Sequence, residues 1–205
     1  RDSISVFSGN IAMDMRGTNL NDLYGSLQFT DTRYKNQNDS YYFEDFQVLS
    51  SFDSKDIRTI SFDSPEIIEG TFQGIFKIKE IPLMLENALS GIYSNIMINR
   101  ISSKQSLKFN FKLYNKIIEV FYPSLEFGAN TFFKGVLDSD PNKFILTFKS
   151  PDIRMESFFA KKVEIKLDNN NPIFNSYVEL DSLSTPYFKA NEFSLINLNL
   201  NDTLY

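Results

Sequence analysis

The sequence predicts an all-β fold, and three observations carry that prediction. Apolar and polar residues alternate with a period of two along most of the chain. The 205 residues include 21 Phe and 10 Tyr but no Trp, and aromatic side chains suit a pleated, half-buried surface. Alanine, the strongest helix former, is scarce.

The first alternation sets Ile11, Met13 and Met15 against Asn10, Asp14 and Arg16. Leu23, Gly25, Leu27 and Phe29 repeat it against Asp22, Ser26, Gln28 and Thr30. Phe43 falls out of phase with Phe46 and Val48, so a bulge or bend is expected at Glu44–Asp45. Ile60 and Phe62 follow the turn-like Asp53–Asp56 stretch. Ile68, Gly70, Phe72, Gly74, Phe76 and Ile78 predict one long strand. At about 3.3 Å per residue it would exceed ~30 Å, with two glycines to let it curve.

A helical period then intervenes. Pro82 opens Leu83, Leu85, Leu89 and Ile92, which predicts one short helix near 81–93 with an apolar face to cap something greasy. Residues 95–100 would form its exit. Alternation resumes with Leu107, Phe109, Phe111 and Leu113, then Ile118, Val120 and Tyr122 up to Pro123. Thr131 to Leu137 forms the next run, ended by the turn Asp138-Ser139-Asp140-Pro141-Asn142. Phe144, Leu146 and Phe148 continue it, then Ile153 and Met155. Val163, Ile165 and Leu167 precede the turn Asn169–Pro172. Phe174, Val178 and Leu180, then Phe193, Leu195, Ile196, Leu198 and Leu200 complete the pattern.

Two segments echo each other. Ser61-Phe62-Asp63-Ser64-Pro65-Glu66-Ile67 matches Thr147-Phe148-Lys149-Ser150-Pro151-Asp152-Ile153, and both are expected to form the same inter-strand corner. With uniform strand lengths this suggests stacked, similar units. The chain reads as one excerpt of a longer repetitive β-scaffold, with candidate sub-units 1–80 and 97–205 joined by helix 81–93. Its start at Arg1 without Met and its stop at Tyr205 after a strand-like run fit that expectation.

Composition narrows the chemistry. Net charge is −5 and no window gathers Lys and Arg on one face, so the electrostatic footprint of nucleic-acid binding is missing. There is no Cys, which excludes disulfides and thiol catalysis. There is no His, which removes the commonest general base and transition-metal ligand. The acidic pairs Glu44/Asp45, Asp53/Asp56 and Asp138/Asp140 lie in or beside turns or the phase break, where solvated loop carboxylates are expected. Asp138–Asn142 lacks the Gly and downstream Glu of a calcium loop. Gly70 and Gly74 lie within a strand and are followed by no Lys-Ser/Thr, so they are not a phosphate loop. The expectation is therefore a non-enzyme with no catalytic residues, no cofactor and no metal.

The long strands share a continuous apolar face, and little helix is available to cover it. A sandwich, a closed barrel or a folded-over groove must supply the cover. The candidate lining is Ile11, Met13, Met15, Leu23, Leu27, Phe29, Phe72, Phe76, Leu107, Phe109, Phe111, Leu113, Phe144, Leu146, Phe148, Val163, Ile165 and Leu167.

The spacing Leu20-x-x-Leu23-x-Gly25-x-Leu27-x-Phe29-x-Asp31, then Tyr34, then Tyr41-x-Phe43-x-Asp45-Phe46-x-Val48-x-Ser50 resembles the TamB translocation and assembly module family of Gram-negative envelopes. So do Arg58-x-Ile60-x-Phe62-x-Ser64 and Glu69-Gly70-x-Phe72-x-Gly74-x-Phe76. Phe109-x-Phe111, Phe121-x-Pro123-x-Leu125 and Gly135-x-Leu137 extend the likeness over about residues 9–138. A typical Ser-Asp corner is Ser64-Pro65 here. The resemblance implies an AsmA-like bridge whose sheet folds over into a U-shaped apolar trough, a β-taco. It implies a periplasmic protein anchored in the inner membrane through a segment outside this excerpt. It also implies phospholipid acyl chains and an Omp85-type outer-membrane barrel protein as partners, with roles in lipid transport and outer-membrane protein assembly. Two alternatives stand beside it: a structural β-sandwich interaction module of the envelope, and part of an outer-membrane β-barrel.

Overall fold

The computed structural model describes residues 5–36, 39–90, 97–140, 143–200 and 203–204. Strands β1 (Val6–Arg16), β2 (Tyr24–Lys35), β3 (Ser40–Phe52), β4 (Arg58–Ser64) and β5 (Ile68–Ile75) come first. Helix α1 (Ile81–Ser90), β6 (Ser106–Leu113), helix α2 (Asn115–Phe121) and β7 (Leu125–Phe127) follow. Strands β8 (Thr131–Asp138), β9 (Lys143–Met155), β10 (Phe158–Asp168), β11 (Ser176–Ser184) and β12 (Lys189–Asn197) complete the sheet.

These twelve strands form one antiparallel sheet in chain order, except that β7 pairs with the later half of β9, beyond the end of β8; Asn199–Leu200 and Thr203–Leu204 pair separately as a short two-stranded sheet. The sheet is unclosed and curled over one face, so the fold is an all-β folded-over sheet. Strand β5 pairs β6 directly, so the residues before and after α1 share one sheet. The face away from the helices carries charge: Glu164 lies 2.9 Å from both the Lys149 and Lys166 ammoniums. Burial works against that carboxylate, yet the two ammoniums hold its pKa below the ordinary range.

Glycines allow the curl where neighbouring strands meet over the apolar face. Gly70 stands between Phe62 of β4 and Phe111 of β6, whose rings meet across it at 5.7 Å. A Cβ there would run into the Asn110 carbonyl and the Phe111 ring. Its φ of 153° also disfavours other residues.

The expected phase break in β3 is present and extends across three strands. Asp31 has a φ of 51° and faces Glu44, and neither joins the ladder pairs on either side. Side chains three apart, Phe29 with Thr32 and Phe43 with Phe46, therefore share one face. In β1 the register shifts at Gly9. A second break crosses the other end of the sheet. Lys162 (φ 48°) and Glu192 (φ 55°) sit in mid-strand, and the pairing skips Pro151, Lys162, Asp181 and Glu192 together.

Four expectations need correction. The run Ile118, Val120, Tyr122 is not a strand but lies in and just after α2. Its β-branched residues favour strand, yet Ile117, Val120 and Phe121 have helical spacing and together line one cavity. The strand from Ile68 ends at Ile75, because Ile78–Glu80 turns into a 3₁₀ segment leading into α1. The Ser-Pro echo does not make two equal corners. Ser64-Pro65 leads a turn between β4 and β5, whereas Ser150-Pro151 lies inside the continuous β9 at the second phase break. There Pro lacks an N–H at a position that skips its ladder bond anyway. Leu23 precedes β2 rather than lying within it. The helix near 81–93 is observed as Ile81–Ser90; residues 91–96 lie outside the described residues, as do Pro141 and Asn142 of the turn.

Candidate functional site: an apolar trough beneath two helices

The strand registers stack the apolar residues into transverse rows. Met13, Leu27, Val48, Phe62, Gly70, Phe111, Phe133, Phe148, Ile165, Val178 and Leu195 lie side by side across the sheet, and Ile11, Phe29 and Phe46 lie one step along β1–β3. One step along the strands in the other direction lie Met15, Gly25, Ser50, Ile60, Phe72, Phe109, Gly135, Leu146 and Leu167. The rings touch across strands: Phe29–Phe46 at 5.7 Å, Phe72–Phe111 at 4.8 Å and Phe109–Phe133 at 4.9 Å. These cross-strand pairs both stabilise the sheet and make its apolar face continuous.

Helix α1 closes one end. Met84 and Ala88 are buried with Phe76, Leu107, Leu137 and Phe144 in a single cluster. The Asn87 side chain donates to the Asn99 carbonyl (2.9 Å) and accepts from the Asn99 N–H (2.7 Å). The Glu80 carboxylate accepts from the Ser102 N–H and the Gln105 amide, each at 2.7 Å. Those hydrogen bonds, that from the Ser102 N–H foremost, hold its pKa below the usual carboxylate range. At the same end Arg58 is buried on the trough face. Its guanidinium donates to the carbonyls of Leu20 (2.8 Å) and Leu23 (2.6 Å) and to the Ser50 hydroxyl (3.0 Å). Burial lowers its pKa, and the Asp22 charge partly opposes this. The cation pins the turn after β1 to the sheet.

Helix α2 covers the other end differently, for none of its residues is buried. Its anchors are polar. The Lys116 ammonium meets Glu66 at 2.7 Å, both side chains being about one third exposed. The Tyr41 hydroxyl donates to the Glu119 carbonyl at 3.1 Å, and the Asn36 amide reaches the Val120 carbonyl at 3.5 Å. The Phe127 N–H donates to the Asn115 side chain at 2.7 Å.

Two cavities lie along the trough. One, of about 370 Å³, is bounded by Phe7, Phe29, Thr32, Tyr34, Phe43 and Phe46 of β1–β3 and by Ile67, Ile117, Val120 and Phe121. The other, of about 420 Å³, is bounded by Phe62, Phe72, Phe109, Phe111 and Phe133 of the central strands, by Ile81 and Leu85 of α1, and by further aliphatic side chains. Phe46, Ile67 and Ile117 border both, so the two cavities abut. Each volume falls within the range of small-ligand pockets, ~300–1,000 Å³.

The sequence-derived lining residues divide by depth. Phe76, Leu107, Phe109, Phe111, Phe144, Leu146 and Val163 are buried core. Met15, Leu23, Leu27, Phe29, Phe72, Leu113, Phe148, Ile165 and Leu167 are half-buried. Ile11 and Met13 on the edge strand are open, at 57% and 71% exposure. Apart from Leu23, which precedes β2, and Phe76, which follows β5, the registers bring these residues onto the helix-covered face. Cavity residues absent from that set include Phe7, Phe43, Phe46, Phe62, Phe133, Ile67 and Ile117. The break at Glu44–Asp45 signalled Phe43 and Phe46 together, whereas the helical spacing of Ile117, Val120 and Phe121 is masked by the equally good strand period of Ile118, Val120 and Tyr122.

In two of the acidic pairs a carboxylate serves local structure. Asp53 caps its own turn, accepting from the Lys55 and Ile57 N–H groups, and Asp140 accepts from the Lys104 N–H. No group of three or more acidic residues poised for a metal occurs among the described residues, and none of the described helices is long and apolar enough to cross a membrane. No family model, curated protein or solved structure matches this chain.

Proposed function

We propose that this chain is a non-enzymatic segment of a Gram-negative envelope bridge, periplasmic and of the TamB kind, whose trough shelters phospholipid acyl chains between the inner and outer membranes. A role in outer-membrane protein assembly beside an Omp85-type barrel belongs to the same reading. The single observation that supports it is the unbroken apolar row across the sheet, opening into two abutting cavities lined almost wholly by hydrocarbon. An acyl chain entering such a trough gains about 0.8 kcal/mol per buried methylene. A uniform lining gives similar affinity at successive positions, so a chain slides without chemistry. A transmembrane barrel is less well supported, because it carries its apolar side chains outward toward lipid. Here they face the helices.

The test is mass spectrometry of gently purified protein. Phospholipid should co-purify, and Phe29→Asp at the half-buried mouth should reduce it while the protein stays folded. Lipid-free protein, with a Phe29→Asp variant indistinguishable from the parent in binding a fluorescent fatty acid, would sink the proposal.

A further inference from the structure

Resting on the lipid-trough reading, we infer that α2 is a releasable strap that divides the trough into two compartments, and that an acyl chain passes between them only when the strap lifts. Ile117 of α2 borders both cavities, so the helix forms part of the partition. Val120 and Phe121 of the same helix border the cavity on the β1–β3 side. The anchors are of a kind that opens readily. The ion pair of Lys116 with Glu66 is partly solvated, and such pairs contribute little net stability. The hydrogen bonds from Tyr41 and Asn36 go to carbonyls at the helix C-terminal end, which water can satisfy instead. Phe121 is 69% exposed even with the strap down. Beyond these contacts this seven-residue helix has the Phe127 N–H donating to the Asn115 side chain and the half-buried Ile117 and Val120, but no buried side chain. Helix α1, over the same sheet, has the buried Met84 and Ala88 and the reciprocal Asn87–Asn99 hydrogen bonds. Opening is therefore expected at α2 and not at α1.

The chain has no Cys, so a Glu66→Cys/Lys116→Cys variant carries only two thiols. A short, reducible bis-thiol cross-linker would tie the strap to the β4–β5 turn. Uptake of a fluorescent C16 fatty acid from phosphatidylethanolamine/phosphatidylglycerol vesicles is then timed before and after reduction. The expected result is uptake at least about tenfold slower when cross-linked and restored by reductant. Hydrogen exchange of the 115–121 amides should also be faster than that of 81–90. Equal uptake rates in the two states, or α2 amides as protected as those of α1, would overturn the strap. Absence of fatty-acid binding in both states, and in the parent, would instead remove the lipid-trough reading on which it rests.

Discussion

The two helices of this protein lie over the same sheet face and are held there by opposite means. Helix α1 places Met84 and Ala88 in a core with Phe144, Leu107 and Leu137 and satisfies its buried Asn87 through Asn99. Helix α2 buries nothing fully and is tied by an ion pair and hydrogen bonds at its rim. Burial makes a closure permanent, whereas partly solvated polar ties make it reversible. One end of the trough is thus a sealed core with Arg58 as its polar fastening. The other end is a covered cavity.

Several measurements can break or sharpen this contrast. The largest effect is expected at the sealed end. Phe144 is 1% exposed, and Phe144→Ala should destabilise by about 3–5 kcal/mol in urea unfolding. A loss below about 1 kcal/mol would mean that end is not a packed core. Arg58→Ala should cost about 3 kcal/mol, because the carbonyls of Leu20 and Leu23 and the Ser50 hydroxyl lose the charged donor that the buried Arg58 supplies. Gly70→Ala tests the curl that both ends share. Collision with Asn110 and Phe111 at a disfavoured φ should cost about 1–3 kcal/mol. Ile117→Asp, at the strapped end, should cost only about 1 kcal/mol yet strongly reduce fatty-acid binding. Unfolding by that variant would make α2 as structural as α1.

The smallest effect is a pH dependence. The hydrogen bond from Lys116, foremost, holds the Glu66 carboxyl below its usual range, and burial opposes this. A depressed folded-state pKa means that the tether is fully present above the unfolded value. It fades as pH falls through the lowered folded value. Fatty-acid uptake should therefore quicken on acidification below ordinary carboxylate pKa values, and Glu66→Gln should flatten that response. An unchanged acid response in Glu66→Gln would assign it to another group.

Much of this was legible in the residues. The alternation Leu107, Phe109, Phe111, Leu113 gave its strand and its face, because a half-buried strand leaves period two in its sequence. Pro82 and the spacing of Leu85 and Leu89 gave α1. The misplaced phase of Phe43 and Phe46 gave the break in β3, although not its partners at Asp31 and Gly9. Helix α2 was not legible as a helix, since Ile118, Val120 and Tyr122 satisfy the strand period equally well. Nor could the Ser-Pro echo distinguish a turn at Ser64 from a mid-strand skip at Ser150.

By itself, then, the sequence determined that the chain is all-β, that its strands share one apolar face, and that a helix follows the run from Ile68. Those features depend on neighbours two to four residues apart, which a linear pattern records. Only the tertiary structure decided which parts of that face are sealed and which are hollow. Depth depends on what lies opposite: Phe144 meets a core closed by α1, whereas Phe29 and Phe46 meet the cavity under Ile117 and Phe121. These are contacts between residues roughly 55 to 90 positions apart, and side-chain periodicity does not encode them.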